Sequence, residues 1–147
     1  MSSVEFMVMG KPLGKQRPRV VHMGNTGKVR AFTPKETVNY ENLVKWSYLQ
    51  MCDNIKLEGE IRAEITAYFA VPKSDSKRKR ALKLTGVIRH TSKPDTDNIA
   101  KIILDSLNGI AYDDDKQVCQ LSVKKLYGVR EGVVVRLEEI EGETDDC

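Results

Sequence analysis

The chain has 147 residues, 40% of them hydrophobic and 31% charged, which is the size and apolar content of one ordinary domain. No apolar run reaches the ~18 residues of a membrane span, and no basic start followed by a long apolar stretch marks a signal peptide, so the expectation is a soluble cytoplasmic protein with no membrane partner. Formal net charge is +3, but residues 138–147 hold six acids and no base, which leaves a body with 24 basic against 15 acidic residues, a net of +9. Such a body suits a polyanion, because neutralising phosphates releases counterions and gives affinity without sequence preference. One domain is expected over residues 1–137, followed by an acidic, solvated tail over 138–147.

In chain order, Val4, Phe6 and Val8 alternate with more polar neighbours and read as a first strand. Residues 14–31 are basic and turn-rich, with Gly24-Asn25-Thr26-Gly27 as the tip of a loose hairpin. Thr33-Pro34-Lys35-Glu36 predicts a helix start, with Thr33 as cap, Pro34 at the first helical position and Glu36 completing a capping box. That helix is expected to reach Cys52 and to bury a stripe of Leu43, Val44, Ser47 and Met51. Over 60–71, Ile61, Ala63, Ile65, Ala67, Phe69 and Val71 face one way, which predicts a half-buried strand. A short basic helix follows, from a Ser74 or Ser76 cap to the Gly86 stop. From Asn98 to Leu107, Ile99, Ile102, Ile103 and Leu107 recur at the helical period and form a buried face. Strands near 117–127 and through Val133, Val135 and Leu137 complete the chain. The order β–(hairpin)–α–β–α–α–β–β predicts an α+β fold of two layers, with helices packed on a mixed sheet.

The stretch Lys93–Val118 carries the chemistry, because it concentrates Asp95, Asp97, Asp105, Asp113, Asp114 and Asp115. Pro94 disfavours helix at Lys93 and predicts an extended approach, in which residues two apart point the same way. Asp95 and Asp97 would then aim both carboxylates at one point beside the N-terminus of the next helix. The helix dipole favours anions there by up to ~1 kcal/mol each. Oxygen ligands of this kind suit Mg²⁺ or Mn²⁺. Lys101, one turn past Asp97, reaches the same site, where an ammonium can hold a scissile phosphate, orient water or stabilise a leaving oxygen. Asp105, a further turn on, can pair with Lys101 and orient it. Three adjacent acids at 113–115 repel one another, and one or two of them would complete a metal cluster with Asp95 and Asp97. Alone, a D-x-D before a helix is a common cap and a DDD run a common turn; together, with a lysine between them in a basic body, they point to a metal site.

Basic segments offer phosphate contacts: Lys15, Arg17 and Arg19, with Pro18 stiffening the chain between the arginines, and Lys77, Arg78, Lys79 and Arg80. Other motifs fail. Gly10-Lys-Pro-Leu-Gly14-Lys15-Gln16 is one residue short of a phosphate-binding loop and has Gln16 in place of Ser or Thr. Three cysteines lack CxxC or Cys/His zinc spacing and read as reduced thiols, two of them partly buried.

The run Lys93-Pro94-Asp95-Thr96-Asp97-Asn98, Lys101, Asp105-Ser106-Leu107-Asn108-Gly109 and Asp114-Asp115-Lys116-Gln117-Val118 resembles the signature of the RusA-type Holliday-junction resolvases, especially phage and prophage members. The early G-K-P…K-Q-R-P-R stretch, the Thr33-Pro34 helix start and Lys125-x-Tyr127 resemble the rest of that pattern. The resemblance implies a RusA-like fold and a homodimer that binds four-way junction DNA and places paired nicks in strands of like polarity, using Mg²⁺ with Mn²⁺ as a substitute. It puts the catalytic carboxylates on Asp95, Asp97 and Asp115, the active-site lysine on Lys101, and a DNA contact on Lys125. Asp114 stands beside Asp115 as an alternative or additional ligand. One departure stands out: Arg89-His-Thr-Ser-Lys93 occupies the place where a well-studied member of that family carries an arginine run before the D-x-D, and the main basic run lies some fifteen residues earlier. Two other readings follow from the same residues, a flap or branch nuclease with this metal chemistry and a DNA-binding module without catalysis.

Overall fold

Residues 2–16, 19–23, 28–32 and 34–141 are described by a computed structural model of the chain. Side chains that alternate along a strand build the sheet. In β1 (Ser3–Met9), β4 (Ile61–Ala70) and β6 (Gly132–Glu139) every second residue is buried, and β5 (Val118–Gly128) adds an outer strand. The order is β1-β6-β4-β5, with β6 antiparallel to both neighbours and β4 parallel to β5. Phe6, Val135, Ile65 and Val123 lie in one row across the four strands, and the first three are buried. The other face of β4 carries Arg62, Glu64, Thr66 and Tyr68 toward solvent, so the architecture is a two-layer α+β one, as expected from the element order. β2 (Arg19–Met23) and β3 (Lys28–Phe32) pair antiparallel as a separate hairpin, and the expected tip at 24–27 lies outside the described residues.

α1 (Lys35–Cys52) packs on β1 and on α3. Its start differs from expectation. Thr33 lies outside the described residues, and Pro34 stands at the cap with extended backbone, where its carbonyl accepts from Thr37 and Val38. The buried stripe is Thr37, Tyr40, Val44, Ser47, Tyr48 and Cys52; Leu43 is only half-buried and Met51 is 58% exposed. The two tyrosines decide this. Each buries a large ring, and Tyr48 also bonds the Ile55 carbonyl and meets Phe6 edge to face at 5.4 Å, so the helix rotates its apolar-plus-aromatic side inward.

α2 (Lys77–Leu84) has the expected cap, with Lys79 N–H donating to Ser76 Oγ at 3.2 Å. It docks through Lys83, buried against Asp75 at 2.5 Å and 4.7 Å over the Tyr127 ring. α3 (Thr96–Ser106) buries Ile99, Ile102 and Ile103, with Leu107 just past its end, each worth about 1.5–3 kcal/mol over an exposed side chain. β5 is entered through a 3-10 turn at Asp115–Gln117. β6 runs to Glu139, two residues past the expected domain edge at Leu137, because Glu138 binds Arg62 and the Ile140 N–H donates to the Glu60 carbonyl. Cys52 is buried and Cys119, on the outer strand, is exposed; Cys147, the third cysteine of that expectation, lies outside the described residues.

Candidate active site

The start of α3 is held from two sides. From β5, the Lys125 ammonium donates to the Ser92 and Pro94 carbonyls at 2.5 and 2.9 Å. From the first loop, Lys15 N–H donates to the Asn98 carbonyl at 2.9 Å, and Gly14 lies so close that an added Cβ would stand 2.8 Å from Pro94 Cβ and 3.0 Å from Asn98 Cβ. Only a residue without a side chain permits that approach.

Asp95 is the cap residue of α3, with φ −73° and ψ 155°, yet its carboxylate makes no capping hydrogen bond. Its backbone carbonyl starts the helix ladder by accepting from Ile99 at 3.1 Å, which leaves the exposed carboxylate free for another ligand. Asp97 already lies in the first helical turn. The extended geometry expected for both residues therefore holds at Asp95 only, and Asp97 projects from the helix.

The three adjacent acids differ in their partners. Asp113 is 82% exposed and pairs with Lys56 at 2.5 Å. Asp114 caps the 3-10 turn, accepting from Lys116 N–H at 2.9 Å, while Gln117 Oε1 accepts from the Asp113 and Asp114 N–H groups. The Lys116 N–H bond is the main reason that its carboxyl sits below the usual range. Asp115 is half-buried, its N–H donates to Asn108 Oδ1 at 2.8 Å, and its carboxyl meets those of Asp105 and Asp114. Burial first, then those two neighbours, raise its pKa.

Asp105 joins the parts. Lys15 Nζ lies 3.7 Å and Lys101 Nζ 3.8 Å from its Oδ2, and Lys15 also pairs with Glu41 at 3.1 Å. Among the described residues no three His, Cys, Asp or Glu side chains form a ready-made metal cage, so Asp95, Asp97 and Asp115 do not converge at ligating distance. Asp115 meets Asp105 and Asp114 near the last turn of α3, Lys15 and Lys101 both lie on Asp105, and Asp95 and Asp97 stand at the start of the same helix. All donors are hard oxygens, the set that suits Mg²⁺ or Mn²⁺.

Over residues 9–138 the sequence matches the family described as endodeoxyribonuclease RusA. This chain belongs to the RusA endodeoxyribonuclease family. It is also 32% identical over 142 residues to "Uncharacterized protein YqaN" of Bacillus subtilis (strain 168), a match covering 95% of this chain and 99% of that protein.

Among the basic residues that the sequence offered this RusA-family site, placement differs. Lys77, Arg78, Lys79 and Arg80 form the exposed first half of α2, with Lys79 3.9 Å from Asp75. Lys15 and Lys125 are engaged within the fold, as described. Arg19 opens β2, and Arg17 lies outside the described residues. Sequence reasoning missed Glu41, quoted Asn108 and Gln117 in the family signature without giving them a role, and gave Asp105 only its lysine partner. A signal existed for Asp105, since Lys101 lies one turn before it; the contact with Asp115 spans a turn and needs the fold. Among the described residues no helix is long and apolar enough to cross a membrane.

Proposed function

We propose that this chain is a divalent-metal-dependent endonuclease that resolves four-way DNA junctions by paired, symmetric nicks, acting as a homodimer. The family membership supports the endonuclease chemistry. The observation that carries the site assignment is the contact of Asp115 with Asp105, on the same helix from whose start Asp95 and Asp97 project uncapped and exposed. Asp113 and Asp114 have other partners, which makes Asp115 the third ligand and Asp114 its support.

Asp95, Asp97 and Asp115 would hold Mg²⁺, for which Mn²⁺ substitutes. When bound, the ion supplies the charge that activates a water and offsets charge on the departing 3′ oxygen. Lys101 adds a positive charge at the phosphate, and Asp105 fixes its direction. Hydrolysis leaves 5′-phosphate and 3′-hydroxyl ends. A two-fold dimer presents one such site to each of two like strands.

The test is a gel assay on a synthetic four-way junction, with and without Mg²⁺, mapping nicks on all four strands. Asp97→Asn and Asp115→Asn are expected to abolish nicking and keep junction binding, while Asp113→Asn keeps the wild-type rate. Full activity in Asp97→Asn removes the metal-site assignment. Equal rates on flaps and junctions move the reading to a less selective branch nuclease, and no metal-dependent cleavage on any substrate moves it to a binding module.

A further inference from the structure

Asp95 stands between two clefts. One, of about 410 Å³, lies toward Lys11, Lys15 and Lys93. The other, of about 600 Å³, opens between Arg89-His90 and the 123–126 stretch of β5. The proposed chemistry uses neither wall of the larger cleft.

Its floor is rigid. The His90 ring lies flat on Phe69, with centroids 3.7 Å apart and planes 5° apart, and meets Tyr127 edge to face at 5.5 Å. Lys125 closes one corner by binding the Ser92 and Pro94 carbonyls. Val123 and Leu126 give half-buried apolar wall. Arg89 and Lys124 stand exposed at the cleft, and among the described residues neither has a carboxylate partner.

Apolar and aromatic wall suits the face of a base, and two unpaired cations suit the phosphate attached to it. The volume falls within the ~300–1,000 Å³ of sites that enclose small ligands and is far too small for duplex DNA. We propose that this cleft receives one unstacked nucleotide next to the scissile phosphate, with the strand crossing Asp95 and continuing toward Lys11 and Lys93. The inference rests on the nuclease reading above and adds a selectivity device to it. Taking a base out of a duplex costs a few kcal/mol, and least where pairing is already lost. The cleft therefore accepts strands at a branch point ahead of continuous duplex.

The experiment uses four-way junctions carrying 2-aminopurine at each position flanking the mapped nick, with full-length protein and no divalent cation. Wild type is expected to brighten the probe at one position, as that base leaves the stack. Arg89→Ala with Lys124→Ala, both exposed, is expected to bind about tenfold more weakly, the order of one lost nucleotide contact, and to lose the brightening even at saturation. Lys35→Ala, exposed on α1 and outside the cleft lining, keeps it. Brightening at no position, or undiminished brightening in the double variant, overturns the inference. Nicking of the unlabelled junction by wild type in Mg²⁺ is scored in parallel: nicking without brightening rejects the nucleotide cleft alone, whereas no nicking rejects the nuclease reading.

Discussion

The Lys15 ammonium lies 3.7 Å from Asp105 Oδ2, so a residue of the first loop and one in the last turn of α3 share a charge pair. Asp105 is placed against helix preference. A carboxylate near a helix C-terminus meets the negative end of the dipole, and lysine four residues before an acid is the weaker order of an i,i+4 pair. Lys15 and Lys101 together offset that cost, and the arrangement holds both ammoniums on the carboxylate that meets Asp115. Asp105→Asn keeps the shape and removes the charge. Nicking is expected to fall about 10–100-fold, the range for losing a partner that orients a metal-site group, with the urea midpoint little changed. Unchanged nicking rates would show Asp105 to be structural only.

Gly14 packs against Pro94 and Asn98 with no room for a methyl group. Pro94 Cβ belongs to a ring and cannot turn aside. Gly14→Ala is expected to cost about 1–3 kcal/mol in urea unfolding, the usual penalty of overpacking, and to slow nicking by shifting the segment that carries Asp95. A variant of wild-type stability and rate would mean that the loop moves freely from α3.

Lys125 and Lys77 should separate in salt titrations of junction binding. The Lys125 ammonium is engaged by two backbone carbonyls, whereas Lys77 is exposed at the start of α2. Lys77→Ala is expected to reduce the slope of log affinity against log salt by about one, as for one lost phosphate contact. Lys125→Met is expected to leave that slope alone and to lower stability by about 1–3 kcal/mol, since two carbonyls lose their donor. A reduced slope in Lys125→Met would restore it as a phosphate contact.

His90 supplies a pH dependence. Burial first, then the Lys125, Lys11 and Lys83 ammoniums, hold its pKa below the ordinary 6.5; Phe69 and Tyr127 pack on the ring without adding charge. Below pH 6.5 the unfolded chain therefore takes up a proton that the folded chain refuses, and this contribution to stability falls as pH falls. His90→Phe, which preserves the stack, is expected to flatten that decline between about pH 6.5 and 5 in urea melts. An identical decline in both proteins would assign it to other groups.

The sheet and α3 are legible in the sequence because their signals are local. Ile61 to Phe69 alternates without interruption, and the isoleucines of α3 recur at the helical period. α1 reads correctly at Val44 and Ser47 but misleads elsewhere, because the rest of its buried face is carried by Thr37, Tyr40 and Tyr48, residues that hydropathy ranks below Leu43 and Met51. The aspartates of 93–118 stand out by composition, and the resemblance they carry agrees with the family match. Their division of labour is not visible along the chain. That Asp113 turns to Lys56, that Asp115 turns to Asp105, and that Gly14 seats on Pro94 all depend on pairing between distant segments.

The last strand occupies the interior of the sheet. β6 separates β1 from β4, and among the described residues it is the only strand that pairs with β1. Until residues 132–139 have left the ribosome, the N-terminal strand has no sheet to join and the core has an open seam. Premature termination therefore yields fragments that cannot close around their own hydrophobic interior, and a DNA-cutting enzyme built this way releases no working shortened forms into the cell.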